Sequence, residues 1–329
     1  MKNWLEWQRA NRNKTMPILS FPAIQLLVIN IRDLIWSADH QVAALRVIKE
    51  RCPISASVSM MDLSVEAEAF GAEIRFFDYD VPTVIGKIIE NEEDLDKLKV
   101  PEVGHKRDGI YLEAIKKASA ETEFSIFGGV IGPFSLAGRL MDMTEIMVNC
   151  YTNPGLVHGT LKKVAEYIKN YALGFKKAGA KGIIMAEPAA GLLSPELCEE
   201  FSSQYVREIF DALRGDDFMI CYHNCGNVLP LVQTLISLDA DIYHFGNSID
   251  IEEMLKLMPS NKLIMGNIDP AGQFRNGTPE SVRKATKELL ERCSGYENFV
   301  ISSGCDIPPL SSWDNIMAFF SAVEEYYNE

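Results

Sequence analysis

"FMICYHNCGN", residues 218–227, opens as five residues without polar alternation and ends in a cluster of polar side chains and a glycine. A short run that is apolar on both faces suits a parallel strand covered by other structure on each side. Four more such runs lie around it: Gly182–Ala186 (GIIMA), Ile242–Phe245 (IYHF), Leu263–Met265 (LIM) and Phe299–Ser302 (FVIS). The longer stretches between them carry helix-start signals. Ser194-Pro195 supplies an N-cap and a first-turn proline ahead of Leu197, Phe201, Tyr205 and Ile209, which share one helical face. Asp250 with Glu253 has the form of a capping box, and Thr278-Pro279 opens the next helix. Asn153-Pro154 opens a long helix towards Ala178, and Ile316, Phe320 and Val323 mark a stripe on the last one.

The first half adds three strand candidates, Pro17–Phe21, Ser55–Met60 and Ser125–Val130. Ala72–Ile89 reads as a β-hairpin inserted after the second, followed by a charged helix over Glu92–Lys99. Strands alternating with helices predict an α/β fold, a (β/α)8 TIM barrel formed as a single domain over residues 1–329. A doubly wound open sheet is the alternative.

The chain has 329 residues and a net charge of −14, from 32 basic and 46 acidic side chains. Duplex-binding proteins neutralise phosphates with clustered Lys and Arg, so this balance argues against nucleic acid as a partner. No apolar run approaches a membrane span, and the N-terminal MKNWLEWQRANRNK lacks a signal-peptide core, so a cytoplasmic protein is expected. Seven cysteines at irregular spacing do not form a disulfide framework and are expected as thiols. Cys221, Cys52, Cys150, Cys198 and Cys293 read as core. A chain of this length buries a core without staples, so any metal it holds is functional rather than structural.

In a barrel of this kind the active site gathers at the carboxyl ends of the strands. Glu187 follows GIIMA, His223, Asn224 and Cys225 follow FMICY, and His244 lies within IYHF with Asn247 just beyond. Asn267 and Asp269 follow LIM, and Cys305 follows FVIS in "SSGCDIPP". His223, Cys225 and Cys305 make a Cys2His set, the composition of catalytic zinc sites with one open position, and thiolates favour zinc over magnesium or calcium. Glu187 either bonds loop amides or acts as an exchangeable ligand or base. Asp269 is a second catalytic candidate, although Pro270 after it also suits a fixed turn. Asp62, Asn224, His244, Asn247 and Asn267 are candidates for substrate contact. "GGVIGPFSLAG" (128–138) lacks the spacing of a nucleotide loop and reads as a pocket wall containing Phe134.

"HNCG" with "SSGCDIPP", together with "MDLSVEAEAFGAEI", "GVIGPFSLAG" and "GNIDP", resembles the corrinoid-dependent zinc methyltransferases of the uroporphyrinogen decarboxylase superfamily. The resemblance spans about residues 15–325 and implies a (β/α)8 barrel with zinc on His223, Cys225 and Cys305. It implies methyl transfer between a corrinoid protein and either a coenzyme M-like thiol or a methyl ether. The alternative is a uroporphyrinogen decarboxylase-like lyase, although "MPILSFPAIQLL" stands where that enzyme has an Arg-rich substrate motif. The chain has no D-x-H-x-x-G, so cobalamin is expected on a separate corrinoid protein. A homodimer is compatible with the resemblance.

Overall fold

A computed structural model describes residues 3–121, 125–215 and 217–328. The apolar runs form a seven-stranded, all-parallel sheet. Its strands are β1 (Ser57–Val58), β4 (Ile126–Ile131), β5 (Gly182–Ala186), β6 (Met219–Asn224), β7 (Ile242–Phe245), β8 (Leu263–Ile268) and β9 (Phe299–Ser303). Each pairs with the next in that order, and β2 (Glu73–Arg75) pairs antiparallel with β3 (Thr83–Ile85) between β1 and β4. Sequential parallel pairing with intervening helices curls the sheet into a TIM-barrel-like α/β architecture.

The period of two along each strand separates two cores. Met219 and Cys221 of β6, Ile242 of β7, Leu263 and Met265 of β8 and Val300 of β9 join one apolar cluster enclosed by the sheet. Their neighbours Ile220, Tyr222, Tyr243, Ile264 and Ile301 join a larger cluster shared with the helices. Both faces are therefore apolar, which is why these strands show no polar alternation.

The expected first strand, Pro17–Phe21, is not part of the ladder. Pro17 has no backbone N–H to donate, and on the β9 side two serine hydroxyls stand in for ladder bonds. Thr15 bridges Ile54 in parallel, and Ser55 N–H donates to the Thr15 carbonyl at 2.8 Å. On the other side the Ser302 hydroxyl donates to the Met16 carbonyl at 3.0 Å. Ile18 N–H donates to Ser303 Oγ at 3.0 Å. One extended segment thus ties together both edges of the curled sheet.

The longest helix, Pro154–Ala178, starts where the Asn153 side chain accepts from Leu156 N–H and stops at Gly179, whose φ of 99° suits glycine. Asp250 caps its helix through Glu252 N–H alone, so the expected box with Glu253 is a simple N-cap, whereas Thr278 forms a reciprocal box with Ser281. Among the described residues no helix is long and apolar enough to cross a membrane.

Candidate metal centre

The inward column of β6 runs Met219, Cys221, His223, and that of β7 runs Ile242, His244. His223 and His244 are register partners on adjacent strands, and Ser302 continues the same face of β9 beyond Val300. The apolar column is therefore topped by a polar layer at the carboxyl ends. Cys225 lies two residues past His223, and Cys305 two past the end of β9, both half-buried on loops. A Cβ added to Gly246, just after β7, would meet Cys225 Cα at 2.5 Å, so only glycine lets the Cys225 loop pack this closely.

One ligand atom from each of His223, Cys225 and Cys305 lies within 4.8 Å of the other two, and no other group of three among the described residues does so. Cys305 Sγ is 3.4 Å from His223 Nε2. A tetrahedral ion with zinc–sulfur and zinc–nitrogen bonds of about 2.3 and 2.0 Å sets nitrogen and sulfur about 3.5 Å apart. The donor set and this nitrogen–sulfur spacing thus fit a tetrahedral zinc ion. Hydrogen bonding with Cys305 pulls the Cys225 thiol below the usual thiol range, while the Cys225 sulfur and burial push the Cys305 thiol up. The other His223 nitrogen, Nδ1, lies 3.1 Å from the His244 carbonyl and 2.9 Å from His244 Nδ1. Burial pulls the His244 imidazole well below its ordinary range, favouring the neutral ring.

Other expected residues are placed differently. Glu187 is fully buried, but its carboxylate faces the start of helix Pro133–Met141. It accepts from Phe134 N–H at 3.0 Å, Ser135 N–H at 2.7 Å and the Ser135 hydroxyl at 2.5 Å. An anion at a helix N-terminus is stabilised there, so Glu187 bonds amides of the helix start and is not grouped with His223, Cys225 and Cys305. Burial pushes its carboxyl up to about 7, against the pull of those hydrogen bonds. Asp269 accepts from Ala271 and Gly272 N–H, both at 2.9 Å, and fixes the turn into Pro270–Arg275. The Asp62 carboxylate meets buried Arg107, Ser64 and the Tyr111 hydroxyl. Phe134 points into the helix-side core. Asn224 spans from the Glu187 carbonyl at 2.5 Å to Gly226 N–H at 2.8 Å, bracing the loop that carries Cys225. Asn267 donates to the carbonyls of Gly246 and Ile249, and Asn247 is exposed beside Gly304.

Sequence reasoning missed Asp306, whose Oδ1 is buried without a partner among the described residues beside Cys305, and whose carboxyl burial pushes well up. The orphaned oxygen is its only signal, and it is visible only in three dimensions. It missed Arg107 as well, because a single Arg opening a helix looks like any solvated charge. A cavity of about 410 Å³ lies beside the Pro188–Leu192 turn, with Ser135 and Gly138 of the "GPFSLAG" stretch and the following Arg139 in its wall. The same turn abuts the Cys225 loop, since a Cβ on Gly191 would come within 3.2 Å of Gly226 Cα.

A parallel curled sheet with its polar layer at the carboxyl ends is one half of the classification. The other half is that residues 37–326 match the uroporphyrinogen decarboxylase (URO-D) family, to which this chain belongs. Among its relatives, the methylcobamide:CoM methyltransferase of Methanosarcina acetivorans is 30% identical over 270 residues, covering 80% of this chain and 78% of that protein. The uroporphyrinogen decarboxylase of Francisella philomiragia is 23% identical over 328 residues, covering 97% of this chain and 94% of the other. A solved methyltransferase structure from Methanosarcina mazei shares the fold, with a TM-score of 0.86 at 22% identity, covering 95% and 94% of the two chains.

Proposed function

We propose that this protein is a zinc-dependent methyltransferase acting between a corrinoid protein and a small, coenzyme M-like thiol. The observation that carries the proposal is the convergence of His223, Cys225 and Cys305 at the carboxyl ends of the strands. The methylcobamide:CoM methyltransferase among its relatives favours a thiol over a methyl ether as the second substrate. Held by these three residues, zinc keeps one open position and supplies a Lewis acid that lowers the pKa of a bound thiol.

The rest of the work falls to the chain itself. Cys225 and Cys305 sit half-exposed, so a fourth ligand approaches from the mouth while the apolar column below keeps water from the opposite side. Asn224 and Asn267 hold the loops that carry and flank Cys225, which keeps the sulfur fixed as a substrate arrives. The neighbouring cavity is the candidate room for the body of a substrate. Cobalamin is carried by the separate corrinoid protein, docked over the mouth.

The test is metal analysis of purified protein with Cys305→Ala beside it. About one zinc per chain, lost in the variant, supports the proposal. The family model favours a second reading, a decarboxylase. Formation of coproporphyrinogen from uroporphyrinogen by metal-free protein would establish that reading instead.

A further inference from the structure

A histidine ligand must present a lone pair, so the tautomer of His223 decides whether the centre is ready for metal. We propose that His244, Ser302 and the Met16 carbonyl form a positioning relay that holds the His223 proton on Nδ1 and leaves Nε2 free for the ion. The inference rests on the zinc reading above.

The polarity follows from which atoms can only accept. The Met16 carbonyl, 3.0 Å from Ser302 Oγ, takes the single hydroxyl hydrogen. Ser302 Oγ is then an acceptor towards His244 Nε2 at 2.9 Å, which puts a hydrogen on that nitrogen. At the other end, the His244 carbonyl lies 3.1 Å from His223 Nδ1 and also accepts only. His223 therefore carries its hydrogen on Nδ1, and His244 Nδ1, 2.9 Å away, meets it with a lone pair. Every bond in the series runs the same way, from His223 through His244 and Ser302 to Met16. What remains is His223 Nε2, which faces Cys305 Sγ at 3.4 Å.

The His244 carbonyl favours a hydrogen on His223 Nδ1 but does not set the pairing of the two rings. If Ser302 lost its hydroxyl, His244 could move its hydrogen to Nδ1 and present a donor to His223 Nδ1. The hydrogen of His223 would then shift to Nε2, where it blocks the metal. Met16 belongs to the segment that ties both edges of the sheet together, so closure of the barrel and readiness of the ligand share one hydrogen-bond chain.

The experiment has two arms, both on the full chain. In the first, the tautomer of His223 is read by 15N NMR of metal-free protein. Wild type should carry the hydrogen on Nδ1, and Ser302→Ala should move part of the population to Nε2. In the second, zinc affinity is measured by competition with a chromophoric chelator. Ser302→Ala and His244→Phe should bind zinc about 10- to 100-fold more weakly, with recovery in Ser302→Thr and His244→Gln. A cobalt(II)-substituted sample should keep its thiolate charge-transfer bands where affinity recovers. An Nε2–H tautomer in wild type, or variants as tight as wild type, would overturn the relay. If wild type binds no zinc, the zinc reading fails while the tautomer measurement still decides the relay.

Discussion

Gly246→Ala offers a graded perturbation of the candidate metal centre that replaces none of its three proposed ligands. The added Cβ would lie 2.5 Å from Cys225 Cα, 2.7 Å from its Cβ and 2.9 Å from its carbonyl oxygen. Carbon atoms in contact sit about 3.5–4.0 Å apart, so the Cys225 loop must retreat by about 1 Å. Two of the three atoms met are backbone, and no side-chain rotation relieves the contact. Overpacking of this kind costs about 1–3 kcal/mol. A metal site tolerates ligand displacements of only about 0.2 Å, so much of that cost falls on zinc binding. At about 1.4 kcal/mol per factor of ten, zinc should bind roughly 10- to 100-fold more weakly. Chelator competition measures the affinity and urea unfolding of the metal-free protein measures the residual stability loss. Gly155→Ala is the control: its Cβ meets only Asn153 Oδ1 at 3.8 Å, in the first turn of Pro154–Ala178, and it should stabilise by about 0.5–1 kcal/mol. If Gly246→Ala bound zinc within threefold of wild type, the placement of the Cys225 loop would be wrong.

The other predictions concern the frame around the site. Gly132→Ala brings a Cβ to 2.1 Å from Glu187 Oε2 and dislodges the carboxylate from the helix start, which should cost about 2–4 kcal/mol by urea unfolding while zinc content stays near one per chain. Arg107→Met leaves Asp62 buried without its cation and should cost about 3–5 kcal/mol; a loss below 1 kcal/mol would contradict the buried pair. Burial pushes the Glu66 carboxyl up to about 7 from an ordinary 4.5. Because the folded value is the higher one, the stability it contributes is present below pH 4.5 and is lost as pH rises through about 7. The loss is at most about 3 kcal/mol, and Glu66→Gln should flatten that part of the unfolding profile.

The C-terminal half of the sheet was legible because its strands are covered on both faces and read as unbroken apolar runs. β5 and β7 have the bounds expected from sequence, while β6, β8 and β9 differ at their ends by one to three residues. Pro17–Phe21 misled because its composition is strand-like while Pro17 removes a ladder donor. The meeting of Cys305 with His223 and Cys225 could be anticipated because parallel strands deliver all their carboxyl ends to one mouth. The orientation of acidic side chains could not. Glu187, Asp269 and Asp62 all sit at strand or turn positions that suit catalysis, yet each is committed to backbone amides or to a buried cation. Side-chain direction there depends on residues far away in sequence, such as Ser135 and Arg107. His244 is the converse case: the sequence marks it as a candidate for substrate contact, and only its register with His223 reveals the pair.

The most direct measurement is methyl transfer from methylcobalamin to 2-mercaptoethanesulfonate, followed by cobalamin absorbance with metal-free protein before and after one equivalent of zinc. The account predicts no transfer without metal, transfer on adding zinc, and none in Cys225→Ser or Cys305→Ala under either condition. Equal rates from metal-free and zinc-loaded protein would contradict it.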